Sequence, residues 1–380
     1  MSVGETNNKT NKILLKIKNL IVNEKVLSVF LPIIIGVLIG FIIIIIVNPG
    51  RSLEGITELL TAGIKRKRSI GNVLFKAGPL IVIGLAVGFS FKSGLFNIGA
   101  SGQFMMGGIA ALYVANLLKA PAVIHFIIAF IAAAVAGGIW GLIPGFLKSQ
   151  FNVNEVISTI MMNYIAVYLS IMLVYNPKVY DPGLTAINPV YPTANIPTLG
   201  LNKLFAGSYL DMGILIAIML AFIIYVVLRK TTFGYEVVAV GHSTEGSKYA
   251  GINVKKNIIL AMTISGALAG IAAALNYLPI NPDNIRPYAV VNPIGFEGIS
   301  VALIAQSNPI GTIFSGLFIS YLKQGALSMQ LIGFDKEISN IIISVIIYMI
   351  AISSFISSVV IKRIEKRKRI KLETEAKDNE

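Results

Sequence analysis

Val26-Leu27-Ser28-Val29-Phe30-Leu31-Pro32-Ile33-Ile34-Ile35-Gly36-Val37-Leu38-Ile39-Gly40-Phe41-Ile42-Ile43-Ile44-Ile45-Ile46-Val47 runs for 22 residues without a charge. A helix of about 20 apolar residues crosses the roughly 30 Å hydrocarbon layer of a bilayer. Backbone inside lipid has no water to bond, so such a run must satisfy its own N–H and C=O groups, as a helix does. The 25 residues before it carry five lysines, which imitates a targeting signal. A cleavable signal has a shorter apolar core and small residues at the cut. This core ends Val47-Asn48-Pro49-Gly50 and reads as an uncleaved first membrane helix.

The rest of the chain agrees. Of 380 residues, 55% are hydrophobic and only 13% charged, where a soluble domain has about a quarter. Apolar runs recur at 26–47, 123–147, 156–175, 212–228, 257–279 and 338–358. Less regular ones lie at 77–91, bracketed by Lys76 and Lys92, at 94–118, glycine-rich at its start, and at 297–326, broken by Asn308-Pro309. Counting the last as two gives an all-α, polytopic transmembrane bundle of about ten spans, including short or broken helices.

Lysine and arginine orient such a bundle. With ten spans, one face collects 20 of them and the other 11, with Lys323 inside a span. Both termini are therefore expected in the cytoplasm. The domain plan is a cytoplasmic segment 1–25, a permease domain 26–358 and a basic cytoplasmic tail 359–380. The permease domain has an extracytoplasmic loop at 176–211 and a cytoplasmic loop at 229–256. The segment 51–76, with Lys65-Arg66-Lys67-Arg68, falls outside and runs against the charge rule. The net charge of +14 suits basic flanks of a membrane protein better than nucleic-acid binding. Five prolines in 176–211 (177, 182, 189, 192 and 197) exclude one long helix there. The loop is either a connector or a docking surface. Small residues four apart, such as Gly36/Gly40, Gly84/Gly88, Gly137/Gly141, Gly141/Gly145 and Gly266/Gly270, predict close helix packing.

Several chemistries are missing. No cysteine occurs, so there is no disulfide and no thiolate site. No phosphate-binding Gly-x-x-x-x-Gly-Lys-Ser/Thr motif occurs. The two histidines, His125 and His242, do not make a histidine-rich metal site, and no cofactor is expected. Glu155, Asp211, Glu297 and Glu337 fall near span ends, which leaves Lys323 as the charge well inside one. That scarcity counts against a proton-driven carrier but leaves sodium coupling through backbone carbonyls open.

Four stretches combine polar residues with glycine or proline. Ser93 to Gly108 places Asn97 and Gln103 among Gly94, Gly99 and Gly102. Irregular backbone at membrane depth is tolerated where it is buried or lines a cavity. A broken helix at a polar pathway and tight packing with an interhelical amide bond both account for it. Asn152 to Tyr164 offers Asn154 as a helix cap with Glu155 in the first turn. Asn163 lies about two turns further in. Gly241 to Ile252 predicts a short helix that starts at Ser243 or Thr244 and stops at Gly251. Gly295 to Gly311 carries the proline break, and half-helices of that kind end near transport routes.

Together, in this order from about residue 70 to 330, these stretches resemble the permease subunits of ABC importers for ribose, branched-chain amino acids and nucleosides. The likeness is greatest to the longer permease of bacterial nucleoside importers, and Leu95–Gly102 and Asn154–Tyr164 carry it most specifically. The resemblance implies a non-catalytic, multi-pass subunit of the bacterial plasma membrane working by alternating access. It implies three partners: a cytoplasmic ABC ATPase, a second homologous permease, and an extracytoplasmic substrate-binding lipoprotein. The Gly241–Ile252 loop matches the family's coupling helix, which assigns ATPase docking to Glu245, Gly246, Ser247, Lys248, Tyr249, Ala250 and Gly251. Asn97, Gln103 and Asn163 are the expected polar pathway residues. Family members often have an acid where this chain has Ser101, and alanines where it has Gly246 and Ser247. A ribose-like sugar or a branched-chain amino acid is the alternative substrate; a sodium-coupled secondary carrier is the alternative machine.

Overall fold

The structure, a computed structural model, describes residues 24–349. The basic tail 359–380 and nearly all of the segment 1–25 lie outside the described residues. The chain forms two compact units, residues 59–328 and the remainder.

In the smaller unit, α1 (Glu24–Val47) is followed by a short 3-10 turn, Pro49–Arg51, and the start of α2 (Ser52–Thr61). Its last described helix, α14, covers 336–349. Gly36 and Gly40 let α1 approach α14: a Cβ at Gly36 would lie 3.1 Å from the Ile346 carbonyl oxygen. The Arg51 guanidinium donates to the Ile332 carbonyl at 2.7 Å.

The larger unit is built on α3 (Lys67–Lys92), buried along Ala77–Ser90. Around it run α4 (Ala100–Leu117), α5 (Ala122–Phe151), α6 (Glu155–Val174), the four-residue α7 (Leu201–Leu204) and α8 (Gly213–Lys230). Then come α9 (Thr232–His242), α10 (Thr244–Tyr249), α11 (Val254–Tyr277), α12 (Ile294–Ile304) and α13 (Pro309–Leu331). Helices α3, α5, α6, α8 and α11 are long and apolar enough to cross a membrane.

Two of the glycine pairs face each other. A Cβ on Gly270 of α11 would meet the Ala133 carbonyl of α5 at 2.0 Å, and one on Gly137 the Gly266 carbonyl at 2.3 Å. Lipid tails are as apolar as leucine, so such helices associate through close packing, which small residues permit.

The structure differs from the sequence expectations at two ends. Helix α3 starts ten residues before position 77, because basic residues beyond the apolar layer can still be helical. Helix α4 starts at Ala100, six residues after position 94. Phe96–Gly99 is irregular, with the Asn97 side chain bonding its own neighbourhood instead of extending the helix. The proline-rich loop holds a small hairpin, Tyr180–Asp181 paired with Ala186–Ile187, and the short α7, with no long helix.

Candidate functional site

The irregular segment before α4 is held by a closed network. Asn97 Nδ2 donates to Gln103 Oε1 at 3.0 Å and to Ser265 Oγ of α11 at 2.8 Å. Asn97 Oδ1 accepts from the Gly99 N–H at 2.9 Å. Ser265 Oγ in turn donates to the Ala86 carbonyl of α3 at 2.7 Å. From α6, Asn163 Nδ2 donates to the Ile98 carbonyl at 3.0 Å, and its Oδ1 accepts from the Gly102 N–H at 2.8 Å. Asn97, Gln103 and Asn163 are all buried. An unpaired buried polar group would cost about 1–3 kcal/mol, so three amides placed here must find partners: Asn97 and Asn163 take backbone groups that a continuous helix would have satisfied itself, and Gln103 pairs with Asn97.

The three pathway residues read from sequence thus come together on one structural element, and within this chain their amides are spent on it. Ser265 was missed. It lies 168 positions from Asn97, and a lone serine in an apolar helix carries no local signal. Ser101 Oγ is buried beside this network with no hydrogen-bond partner among the described residues, against Gly295, where a Cβ would come within 2.3 Å of it. An acid at position 101 would have to displace the start of α12.

At the other end of the irregular segment, backbone meets backbone. A Cβ on Gly241 of α9 would lie 2.2 Å from the Lys92 carbonyl, and Gly94, at φ +75°, packs against the Gly241 Cα. Two residues beyond Gly241, Ser243 caps α10, its Oγ accepting from the Gly246 N–H at 3.1 Å. Gly251, at φ +77°, ends the turn. Within α10, Lys248 Nζ reaches Glu245 Oε1 at 2.7 Å, and Ser247 is buried. Tyr249 is 93% exposed.

Asn154 caps α6, accepting from the Val156 N–H at 2.9 Å, and Glu155 pairs with Lys148 at 2.9 Å across the tight α5–α6 turn. His125 is packed: its ring nitrogens meet Thr193 Oγ1 at 2.8 Å and the Val114 carbonyl at 3.1 Å, tying the proline-rich loop to α4 and α5.

Lys323 is not alone. The break at 305–308 folds α12 back along α13 and sets Glu297 against Lys323, with Nζ 2.6 and 2.7 Å from the two carboxylate oxygens. The pairing was unread because the two residues fall in different segments of a broken span.

These features define a class. Five helices able to cross a membrane among the described residues, two of them packed through facing glycines, make a multi-pass membrane protein. The chain belongs to the family described as branched-chain amino acid transport system / permease component, which matches residues 69–351. It is 37% identical to the guanosine ABC transporter permease protein NupP of Bacillus subtilis, over 78% of this chain and 85% of that one. It is 33% identical to the nucleoside ABC transporter permease protein NupB of Lactococcus lactis, over 88% and 92%. The glucose ABC transporter permease protein TsgB13 of Haloferax volcanii is 29% identical over 74% and 76%. No solved structure matches the chain.

Proposed function

We propose that this chain is one of two permease subunits of an ATP-driven nucleoside importer, and that it contributes no covalent chemistry of its own. The observation that carries the reading is the likeness to two nucleoside permeases along most of their length. A cytoplasmic ABC ATPase docks on α10, through Glu245 to Gly251 with Tyr249 foremost. A substrate-binding lipoprotein delivers the solute from the other side. Ten spans with both termini in the cytoplasm, and 51–76 outside, remain the topology that the lysine and arginine distribution supports.

The close packing of Gly241 on Lys92 and Gly94 supports a route for motion. A tilt of α10 reaches α9, then the irregular segment, then the network around Asn97. Asn97, Gln103 and Asn163 serve the pathway by fixing the shape of this segment, which is the part of the wall that backbone rather than side chains must form.

Uptake of labelled guanosine in native cells, with and without this gene, tests the reading. Loss of uptake on deletion, unblocked by excess ribose or leucine, is the expected result. Unchanged uptake in cells that express the gene and have no second nucleoside system would overturn the substrate. The glucose permease among the relatives favours a sugar as the second reading, and competition by ribose would reveal it. Transport without the ATPase would instead indicate a sodium-coupled carrier.

A further inference from the structure

An ion pair and a third charge within electrostatic range of it lie on helices of the larger unit. Glu297 of α12 and Lys323 of α13 form their two-pronged pair, and both stay partly open, with side chains 22% and 38% exposed. Lys76 of α3 is exposed beside them, within electrostatic range of Lys323, Glu297 and Asp283. Charged side chains inside a membrane protein face the bundle interior or water, because lipid exposure is expensive. The surface that carries the Glu297–Lys323 pair is therefore not a lipid face.

A clamp between α12 and α13 is the plain account of the ion pair. That clamp already exists: Ser315 Oγ of α13 donates to the Val301 carbonyl of α12 at 2.9 Å. A clamp also gives no reason for Lys76. A carboxylate offers about four acceptor positions and each ammonium three donors, so one Glu–Lys contact leaves both with capacity facing outward.

Resting on the nucleoside reading above, we propose that Glu297, Lys323 and Lys76 form a polar binding station on the wall of the solute route, which takes the heterocyclic edge of the nucleoside. The chemistry selects a base with two parallel N–H donors beside a carbonyl, as guanine has. The Glu297 carboxylate accepts from the N–H pair, and a lysine ammonium donates to the carbonyl. Each contact is a charge-assisted hydrogen bond, stronger than its neutral counterpart. Glu297 and Lys323 satisfy one another when the station is empty, so neither charge is stranded between passages.

The complete complex in proteoliposomes tests this, with labelled guanosine as probe. Glu297→Gln keeps the side-chain shape and removes the charge, and the KM for guanosine is expected to rise about tenfold, the loss of one hydrogen bond to a charged group. The double variant Glu297→Lys with Lys323→Glu separates recognition from clamping. It is expected to assemble with its partner subunits and to keep the raised KM; a return to the wild-type KM would reduce the pair to a clamp and overturn the proposal. The chain has no cysteine, so Ser300→Cys, about one turn from Glu297 on α12, gives this chain a single thiol, and its labelling by a membrane-impermeant thiol reagent is read on this chain after the subunits are separated. Ser300→Cys is expected to react, and guanosine to slow it, while Ile131→Cys, on the exposed apolar face of α5, stays inert. Equal inertness of the two would also overturn the proposal. Failure of the wild-type complex to take up guanosine would instead strike the nucleoside reading on which it rests.

Discussion

The Asn97 side chain and Ser265 share a 2.8 Å hydrogen bond that joins the irregular segment before α4 to the middle of α11. Ser265 passes the connection on to the Ala86 carbonyl of α3. A single amide thereby ties the break to the two helices most deeply buried among the long apolar ones.

Replacing Asn97 by leucine removes the partners of the Gly99 N–H and Gln103 Oε1 and leaves Ser265 Oγ with its Ala86 bond alone. Each orphaned group costs about 1–3 kcal/mol. The expected outcome is a lower thermal midpoint for the purified chain in detergent and slowed nucleoside uptake, with Ser265→Ala causing a smaller loss of the same kind. An unchanged midpoint for Asn97→Leu would show that the network does not hold the break.

Gly270 has no room for a side chain: the Ala133 carbonyl stands 2.0 Å from where its Cβ would be. Gly270→Val should force α5 and α11 apart and sharply reduce folded protein in the membrane, beyond the usual 1–3 kcal/mol of an overpacked site. Gly138→Ala is the control, since its nearest neighbours lie at an ordinary 3.5 Å. Folded yields, measured by size-exclusion chromatography, should separate the two.

Motion from the ATPase is expected to pass through Gly241. A Cβ there would lie 2.2 Å from the Lys92 carbonyl, so Gly241→Ala should displace α9 from the irregular segment and uncouple ATP hydrolysis from uptake. Tyr249→Ala is expected to weaken ATPase docking by about 2 kcal/mol or more, as an exposed aromatic anchor does, and to leave the fold intact. Co-purification of the ATPase distinguishes them: Tyr249→Ala loses the partner, while Gly241→Ala keeps it and loses transport.

Asp211 precedes α8 and is buried. Its Oδ1 accepts from the Gly213 N–H at 2.7 Å, and its Oδ2 has no partner among the described residues. Burial pushes the carboxyl up from 3.8 to about 7, against the opposing effect of the Gly213 hydrogen bond. The folded chain holds this proton through a range in which the unfolded chain has released it. The site's contribution is therefore largest below about pH 4 and declines as pH rises to about 7. Thermal midpoints of the wild type should fall across that window, and Asp211→Asn should flatten this part of the profile.

Much of the molecule was legible before any coordinates. Uncharged runs of membrane length needed only composition, because lipid leaves the backbone no alternative to a helix. Helix ends were equally local: Asn154 caps α6, and Ser243 and Gly251 bound α10, through contacts a few positions apart. The proline break ahead of α13 was local too. Glycine spacing predicted close packing, and the facing of Gly137 with Gly266 named the partners.

What only the tertiary structure decided was which distant groups satisfy one another. Asn97 stood out as a polar residue in an apolar run, but whether it lines a route or closes a network depends on Ser265, Ala86 and Asn163, which come from three other helices. Lys323 stood out as a lone charge and became half of a pair only when the turn at 305–308 folded α12 against α13. The physical reason is common to both. A buried polar group announces by its identity that it needs a partner, while the identity of that partner is set by the long-range path of the chain.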